Sequence, residues 1–476
     1  MTTKQIRLVL VYHQMKIQGN TPHFGLLSLG AYVKQKFPNV DIKVLDNPNP
    51  LKQILKFEPD IVGFTGASME YQEAKSLAAK VRKKSKALLI IGGIHISTSP
   101  QTFSNIFDIG VIGEGEITLG EILKLYESKQ INHQHLNQVD GLVYFYKNKL
   151  VLTKPRQLIK NIDDLPIPDR SLIPMENYIK NQLNLYGIKR LMVITTSRGC
   201  PYHCVYCSSS VHWGSFRFHS VEYIVKEMDH LINKYRVDGI VFWDDLFIAP
   251  KTRVLSLVEE IKKKGWDKTM VFYGQARSNM ADEDVIKALK SINVKRLSFG
   301  FETYSQKMLN FLKVNSVSVK DNIRTVKLCN KYDIDVTAGL IVGSPGETLK
   351  DLQITYNTMK KYPLDVTNIY ILIAYPGTKI WEFSKKNNLV FDNMDMNKIH
   401  TEIPLKACFQ FWKKDRFYFL KDHVFLNQEK RHDRKYLSMI LKIKLLATFQ
   451  NYKYYLKYIF RDPKIISKVL FNFLKK

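Results

Sequence analysis

The sequence predicts an α/β protein in four parts. A doubly wound parallel sheet covers residues 1–150, a linker 151–185, a partial (β/α)6 barrel 186–408 and a basic helical extension 409–476. Three observations carry this. Apolar runs of strand length alternate with helical stretches along residues 1 to about 400, as in βαβ units. Glycines and small polar residues collect at the carboxyl ends of the predicted strands, where such sheets bind ligands. From Phe409 onward the alternation gives way to long helical periodicity.

In the first part, Ile6 to Val11 reads as a buried strand and Gly25 to Val33 as a helix. Asp41 to Leu45 alternates like a strand, and Leu51 to Phe57 is a short helix. Ile61 to Thr65 is a strand, Tyr71 to Lys84 a helix, and Ala87 to Ile91 a strand ending at Gly92-Gly93. Ile109 to Ile112 ends at Gly113, with a helix from Leu119 to Tyr126. Thr65, Ser68, Gly92, Gly93, His95 and Gly113 gather at the strand ends.

Asp163 to Arg170 in the connector is turn chemistry. The alternation then resumes, and each strand meets a polar cluster. Leu191 to Thr195 leads into a cysteine loop, and Ile240 to Trp243 ends at Asp244-Asp245. Met270 to Tyr273 ends at Gln275 to Asn279, with Arg277, and Arg296 to Phe301 at Glu302-Thr303. Val336 to Val342 ends at Gly343 to Glu347, and Thr367 to Ile373 at Ala374 to Thr378, with Tyr375. Six strand–helix repeats fit a partial TIM-like barrel, whose active site lies at the C-terminal strand ends.

The cysteine loop is Arg198 to Ser208, with Cys200, Cys204 and Cys207 in the spacing Cys-x3-Cys-x2-Cys. A cluster built only for electron transfer commonly has four cysteine ligands, so three leave one iron of a cube open. A zinc knot is the alternative, but no fourth ligand stands at a usual spacing. With Tyr206 before the last cysteine, the loop resembles the signature of radical S-adenosylmethionine (SAM) enzymes. The resemblance implies a 4Fe–4S cluster on the three cysteines, with SAM chelated to the open iron. It implies SAM contacts for Tyr206, Asp244, Asp245, Arg277, Glu302, Gly343, Glu347 and Tyr375. Asp244 and Asp245 would meet the SAM amino group, Arg277 its carboxylate, and Glu302 the ribose or amino acid portion. Gly343 to Glu347 and the Tyr375 turn would meet the adenine, which Tyr206 flanks.

The first part resembles the cobalamin-binding domain that precedes the radical SAM core in one large branch of that superfamily. Gly92 to Ser97 and Val111 to Glu116 carry the likeness. It implies a cobalamin site at Thr65, Ser68, Gly92, Gly93, His95 and Gly113. The Asp-x-His-x-x-Gly motif that ligates cobalt in many cobalamin domains is absent, and His13 and His23 lack its context. Cobalt would therefore have no histidine ligand; the alternative is a domain that keeps the fold without the cofactor. The implied activity is reductive cleavage of SAM and methyl transfer to an unactivated carbon. Cyclisation, coupling or rearrangement without methylation is the alternative, on a small-molecule or lipid substrate. An electron donor such as flavodoxin or ferredoxin is the implied partner.

Formal net charge is +28 over 476 residues, and Lys421 to Lys476 alone contributes +10. Leu437, Leu441, Leu445, Phe449, Tyr452, Tyr455 and Ile459 form one helical stripe in this tail. Asp462-Pro463 breaks the helix, and Ile465 to Phe473 restarts it. Three readings stand: a helical cap on the barrel, an interfacial helix on an anionic membrane, or an RNA-binding tail without a recognisable RNA module. Five cysteines, with Cys329 and Cys408 isolated, make no disulfide framework. No signal peptide opens the chain and no apolar run approaches the ~18 residues of a span. The expected location is the cytoplasm, with the inner membrane face as a peripheral site.

Overall fold

The computed structural model describes residues 5–12, 21–179, 185–390, 403 and 426–459. His13, Cys408, the Asp462-Pro463 break and the helix expected over Ile465 to Phe473 lie outside the described residues. The chain divides into two compact units, the first essentially residues up to Ile179 and the second from Lys180 onward.

The first unit is a seven-stranded sheet. Its strands are β1 (Ile6–Tyr12), β2 (Val40–Asp46), β3 (Ile61–Thr65), β4 (Leu88–Gly92), β5 (Ile109–Val111), β6 (Leu142–Tyr146) and β7 (Lys149–Leu152), in the order β2-β1-β3-β4-β5-β6-β7. β1 to β5 are parallel. The order reverses between β1 and β3, which makes the crevice at their carboxyl ends the topological switch point. Tyr12 and Thr65 face one another there in register. The all-parallel expectation is corrected at one edge, where β6 and β7 form an antiparallel hairpin. Lys147 and Asn148 both adopt positive φ, as a two-residue type I′ turn requires. The connector does not stand apart from this unit: Ile162, Leu165, Ile173 and Ile179 are buried.

The second unit holds six parallel strands: β8 (Leu191–Ile194), β11 (Gly239–Phe242), β12 (Val271–Ala276), β13 (Val294–Glu302), β14 (Asp335–Val342) and β15 (Val366–Ile371). They lie in chain order, as a partial barrel demands. A two-residue ladder, β9 (Ser197–Arg198) with β10 (Arg217–Phe218), flanks the cysteine loop. Burial alternates along β12, β13 and β14. Phe272, Leu297, Phe299, Val336 and Ala338 are buried, while the alternate phase is only half-buried because it faces a hollow lumen.

The base of that lumen is plugged. Arg296 is in register with Tyr273 on one side and Asp335 on the other. The Tyr454 hydroxyl accepts from Arg296 Nη2 (2.7 Å) and donates to Asp335 Oδ2 (2.8 Å). The Tyr186 hydroxyl also donates to Asp335. Tyr454 belongs to the long helix Arg434–Ile459. That helix buries Tyr436, Ile440, Ile443, Ala447 and Tyr454, spaced four and three apart like a packed seam. Of the stripe expected from the sequence, Leu437 and Leu441 are buried, but Phe449 is 66% and Tyr452 44% exposed. Hydroxyl and amide partners set the rotation: Asn451 Oδ1 accepts from Thr367 N–H (2.6 Å) and its Nδ2 donates to Thr367 C=O (2.8 Å). The amide thus satisfies the exposed edge of β15 as a neighbouring strand would.

Tyr454→Phe removes a hydroxyl that compensates both charges of the plug. It is expected to destabilise the second unit by about 1–3 kcal/mol, read from the denaturant midpoint; an unchanged midpoint contradicts the plug.

Candidate active site

The cysteine loop is fastened before it is functional. Gly199 takes a positive φ of 85°, which lets the chain turn out of β9. The Val205 N–H donates to Leu312 C=O, and Ile380 N–H donates to Val205 C=O, both at 3.0 Å. These bonds hold Cys200, Cys204 and Cys207 against one cavity of about 350 Å³. Burial raises the Cys200 thiol and pushes Cys207 up to about 11. Thiolates form in such a place only against a positive partner, which is the chemistry of a metal-sulfur centre. Among the described residues no three His, Cys, Asp or Glu side chains converge as a single ion requires. Three thiols spread around an open cavity suit a larger group with one coordination site left free.

Adjacent acids have opposite fates. Asp244 is fully enclosed: Oδ1 accepts from Thr196 N (2.6 Å) and Ser197 Oγ (2.7 Å), and Oδ2 accepts from Thr196 Oγ1 (2.9 Å). Arg253 braces the same turn through Thr196, Phe247 and Ala249. Asp244 thus ties β11 to the strand before the cysteine loop and does not line the cavity. Asp245 does line it, with Ser209 Oγ as a donor.

Glu302 ends β13 with φ of 60° and is buried. Its Oε1 accepts from the Tyr206 hydroxyl (2.7 Å) and from Lys313 Nζ (2.8 Å). Lys313 was not singled out in the sequence, although it sits on the buried face of helix Gln306–Lys313 with Leu309 and Leu312. A lysine in an apolar helix phase is the signal that marks it. Arg277 donates to Cys204 Sγ (3.4 Å) and Ser316 Oγ (2.5 Å), and its guanidinium stacks on Tyr202 at 3.7 Å. It braces the cluster loop from inside the cavity wall.

Gly343, Glu347 and Tyr375 lie outside this lining. Glu347 turns back on its own loop: Oε2 accepts from Gly343 N–H (2.8 Å) and the Tyr436 hydroxyl (2.6 Å). Asn427 Nδ2 donates to its carbonyl (2.8 Å), so the C-terminal segment holds this turn twice. Burial raises the Glu347 carboxyl to about 7, against the pull of Tyr436 and Gly343. Tyr375 C=O accepts from Thr378 Oγ1 (2.6 Å) at the start of helix Lys379–Lys386.

In the first unit, Thr65, Ser68, Gly92, Gly93 and Gly113 meet at the strand ends. Gly93 has φ of 96°, and a Cβ there would stand 2.6 Å from Thr65 Oγ1. Gly113 (φ 82°) has open space where a Cβ would be, and its N–H donates to Ser97 Oγ. These small residues leave a backbone-lined rim that a flat cofactor can approach closely. His95 is spent inside: its nitrogens bond Ser68 (3.0 Å) and Thr102 (2.9 Å), and its ring stacks on Tyr71. Burial pushes it down to about 4, so it is a neutral core histidine.

Comparison with known proteins agrees with this geometry. Residues 194–359 match the Radical SAM superfamily and residues 15–123 a B12 binding domain. An uncharacterized methyltransferase of Pyrococcus horikoshii is 32% identical over 410 residues, 83% of this chain and 85% of that protein. The anaerobic magnesium-protoporphyrin IX monomethyl ester cyclase of Rubrivivax gelatinosus is 24% identical over 98% of this chain and 86% of that protein. The structure of the radical SAM methyltransferase TsrM from Kitasatospora setae, with cobalamin and a 4Fe–4S cluster bound, shares the fold. Its TM-score is 0.69 at 18% identity, over 81% of this chain and 79% of that one.

Two glycines separate packing from room. A Cβ on Gly300 would meet Glu302 Oε1 at 2.2 Å, whereas one on Gly339 meets nothing nearer than Tyr370 at 3.6 Å. Gly300→Ala is expected to cost about 1–3 kcal/mol and Gly339→Ala less than ~0.5 kcal/mol in denaturant unfolding; equal effects contradict the packing.

Glu347 gives a pH signature. Its folded pKa lies above the unfolded value, so its stabilising share is complete below ~4.5 and lost as pH rises through about 7. Relative to Glu347→Gln, the wild type should lose stability over that window by at most ~1.4 kcal/mol per pH unit. A difference that stays flat with pH contradicts a buried, raised carboxyl.

Proposed function

Since the chain belongs to the cobalamin-binding branch of the radical SAM superfamily, we propose that it cleaves SAM reductively and transfers a methyl group to an unactivated carbon. The observation that carries this is one cavity shared by the three-cysteine loop, Tyr206, Asp245, Glu302 and Lys313. When bound, the cluster supplies the electron, SAM the hydrogen-abstracting fragment and the methyl group, and cobalamin the methyl carrier.

The chain's own residues bind and orient. Cys200, Cys204 and Cys207 hold the cluster. Asp245, at the cavity mouth, accepts the SAM ammonium as a charge-assisted bond. Lys313 keeps donors for the carboxylate while one is engaged by Glu302. Glu302 fixes the Tyr206 ring beside the cysteines and offers its second oxygen to ribose hydroxyls. Arg277 keeps Cys204 in place. The Arg296–Tyr454–Asp335 contacts close the base of the lumen and keep water out from below. Thr65, Gly92, Gly93 and Gly113 would line the cobalamin side of the first unit, and His95, held by Ser68 and Thr102, stays in the core. A flavodoxin or ferredoxin serves as electron donor. No helix among the described residues is long and apolar enough to cross a membrane; a peripheral contact would use the exposed face with Phe449 and Tyr452.

The cyclase relative favours a second reading, radical cyclisation without methyl transfer. Methyl-labelled SAM separates the two. In anaerobic turnover with corrin bound, methylation moves label out of SAM into an acceptor; 5′-deoxyadenosine formed with all label left in methionine overturns methyl transfer. The reconstituted protein should carry about four irons per chain, and Cys204→Ala should lose both iron and SAM cleavage. A Cys204→Ala protein that still makes 5′-deoxyadenosine would falsify the site.

A further inference from the structure

Above the plug, the inward side chains form two more rows. Gln275 is in register with Ser298, and Ser298 with Thr337. One pleat higher, Gly300 is in register with Gly339, and Gly339 with Asn368. All six line the cavity that the cysteines line. Side chains two apart on a strand share a face, so the lower row is a floor; above it Gly339 leaves space between Asn368 and Gly300, where Glu302 and Lys313 already pack.

The floor has an unusual chemistry. Gln275, Ser298, Thr337 and Asn368 carry amides and hydroxyls, yet none of these groups hydrogen-bonds another residue among those described. The Thr337 hydroxyl is enclosed with no partner. Enclosed polar groups without partners are costly, and native sites keep them where a ligand completes them. The charged groups of this cavity have partners of their own: Arg277 in its wall donates to Cys204 and Ser316, and Asp245 accepts from Ser209. Below the floor, Arg296 and Asp335 are joined through Tyr454. Above it, Glu302 is paired with Lys313. A carboxylate or phosphate at floor level finds Arg277 already engaged by Cys204 and Ser316 and Lys313 by Glu302, and a hydrocarbon buries amides and hydroxyls unsatisfied.

We infer that Gln275, Ser298 and Thr337, with Asn368 beside Gly339 in the row above, form a recognition floor for a neutral, hydroxyl- or amide-bearing part of the substrate. This rests on the reading that SAM is cleaved in this cavity, and adds the class of molecule whose carbon is offered to it. The floor and Asn368 take the polar groups, and Gly339 leaves room for the carbon skeleton. The hydrogens of that skeleton therefore stand between the floor and Glu302.

Deuterium transfer tests this before the substrate is known. The reconstituted full chain, with SAM and dithionite as electron source, is incubated with fully deuterated glycerol or fully deuterated cyclohexane. A molecule seated in the lumen gives up deuterium as its C–D bond breaks, and the C5′ carbon of 5′-deoxyadenosine gains it. The readout is the deuterated fraction of the 5′-deoxyadenosine formed, which does not depend on how much is made. Deuterium should come from glycerol and not from cyclohexane. The glycerol-derived fraction should fall about tenfold in Thr337→Val, the factor of one lost hydrogen bond, and recover in Thr337→Ser. Transfer from cyclohexane, transfer from neither probe, or an undiminished fraction in Thr337→Val overturns the floor. Absence of 5′-deoxyadenosine from wild type overturns instead the function on which it rests.

Discussion

Parallel register in the second unit is the constraint on which the rest depends. Because β12, β13 and β14 pair residue by residue between the register shifts at Tyr273 and Gly300, each pleat of the lumen there is one horizontal row. The lowest row carries charges and is closed by Tyr186 and Tyr454. The highest carries Gly300, packed under Glu302, and Gly339, where the lumen is open. A slip of one residue would turn every inward side chain into the helix layer. The lumen is therefore a sequence of chemistries read from base to mouth, and the cysteine loop sits at the open end.

The C-terminal helix is part of this construction and not an appendage. Tyr454 closes the base, Asn451 pairs the free edge of β15, and Tyr436 with Asn427 holds the Glu347 turn. An open six-stranded barrel leaves two sheet edges, β15 and β8, and a base to be closed, and this one helix meets the β15 edge and the base. That economy explains why the helix is apolar on the seam yet places hydroxyl and amide groups at intervals along it.

Much of the architecture was legible in the sequence, because strand–helix alternation with strand-end polar residues has few physical solutions. The cysteine loop was legible from its Cys-x3-Cys-x2-Cys spacing, Tyr206 from the signature that spacing resembles, and Asp245 and Glu302 from that resemblance together with their place at strand ends. Lys313 was not, because it comes from a helix end whose reach to Glu302 depends on tertiary packing. Asp244 and Asp245 look alike in the sequence; only the path of Thr196 and Ser197 decides which is enclosed. His95 read as a rim residue but is a core one, since Ser68, Thr102 and Tyr71 surround it. The β6–β7 hairpin had a signal, Lys147-Asn148 between apolar runs, that the prevailing parallel pattern overshadowed. The helix rotation was misjudged because two apolar stripes compete on it, and hydrogen-bond partners far away in sequence decide between them.

The central claim is that the three-cysteine loop leaves one metal site open toward the same cavity that receives SAM. Electron–nuclear double resonance of the reduced, reconstituted protein tests it most directly, using SAM carrying nitrogen-15 in its amino group. A hyperfine coupling from that nitrogen to the cluster, present in wild type, places SAM on the open iron. An intact cluster that shows no coupling under saturating SAM contradicts the claim.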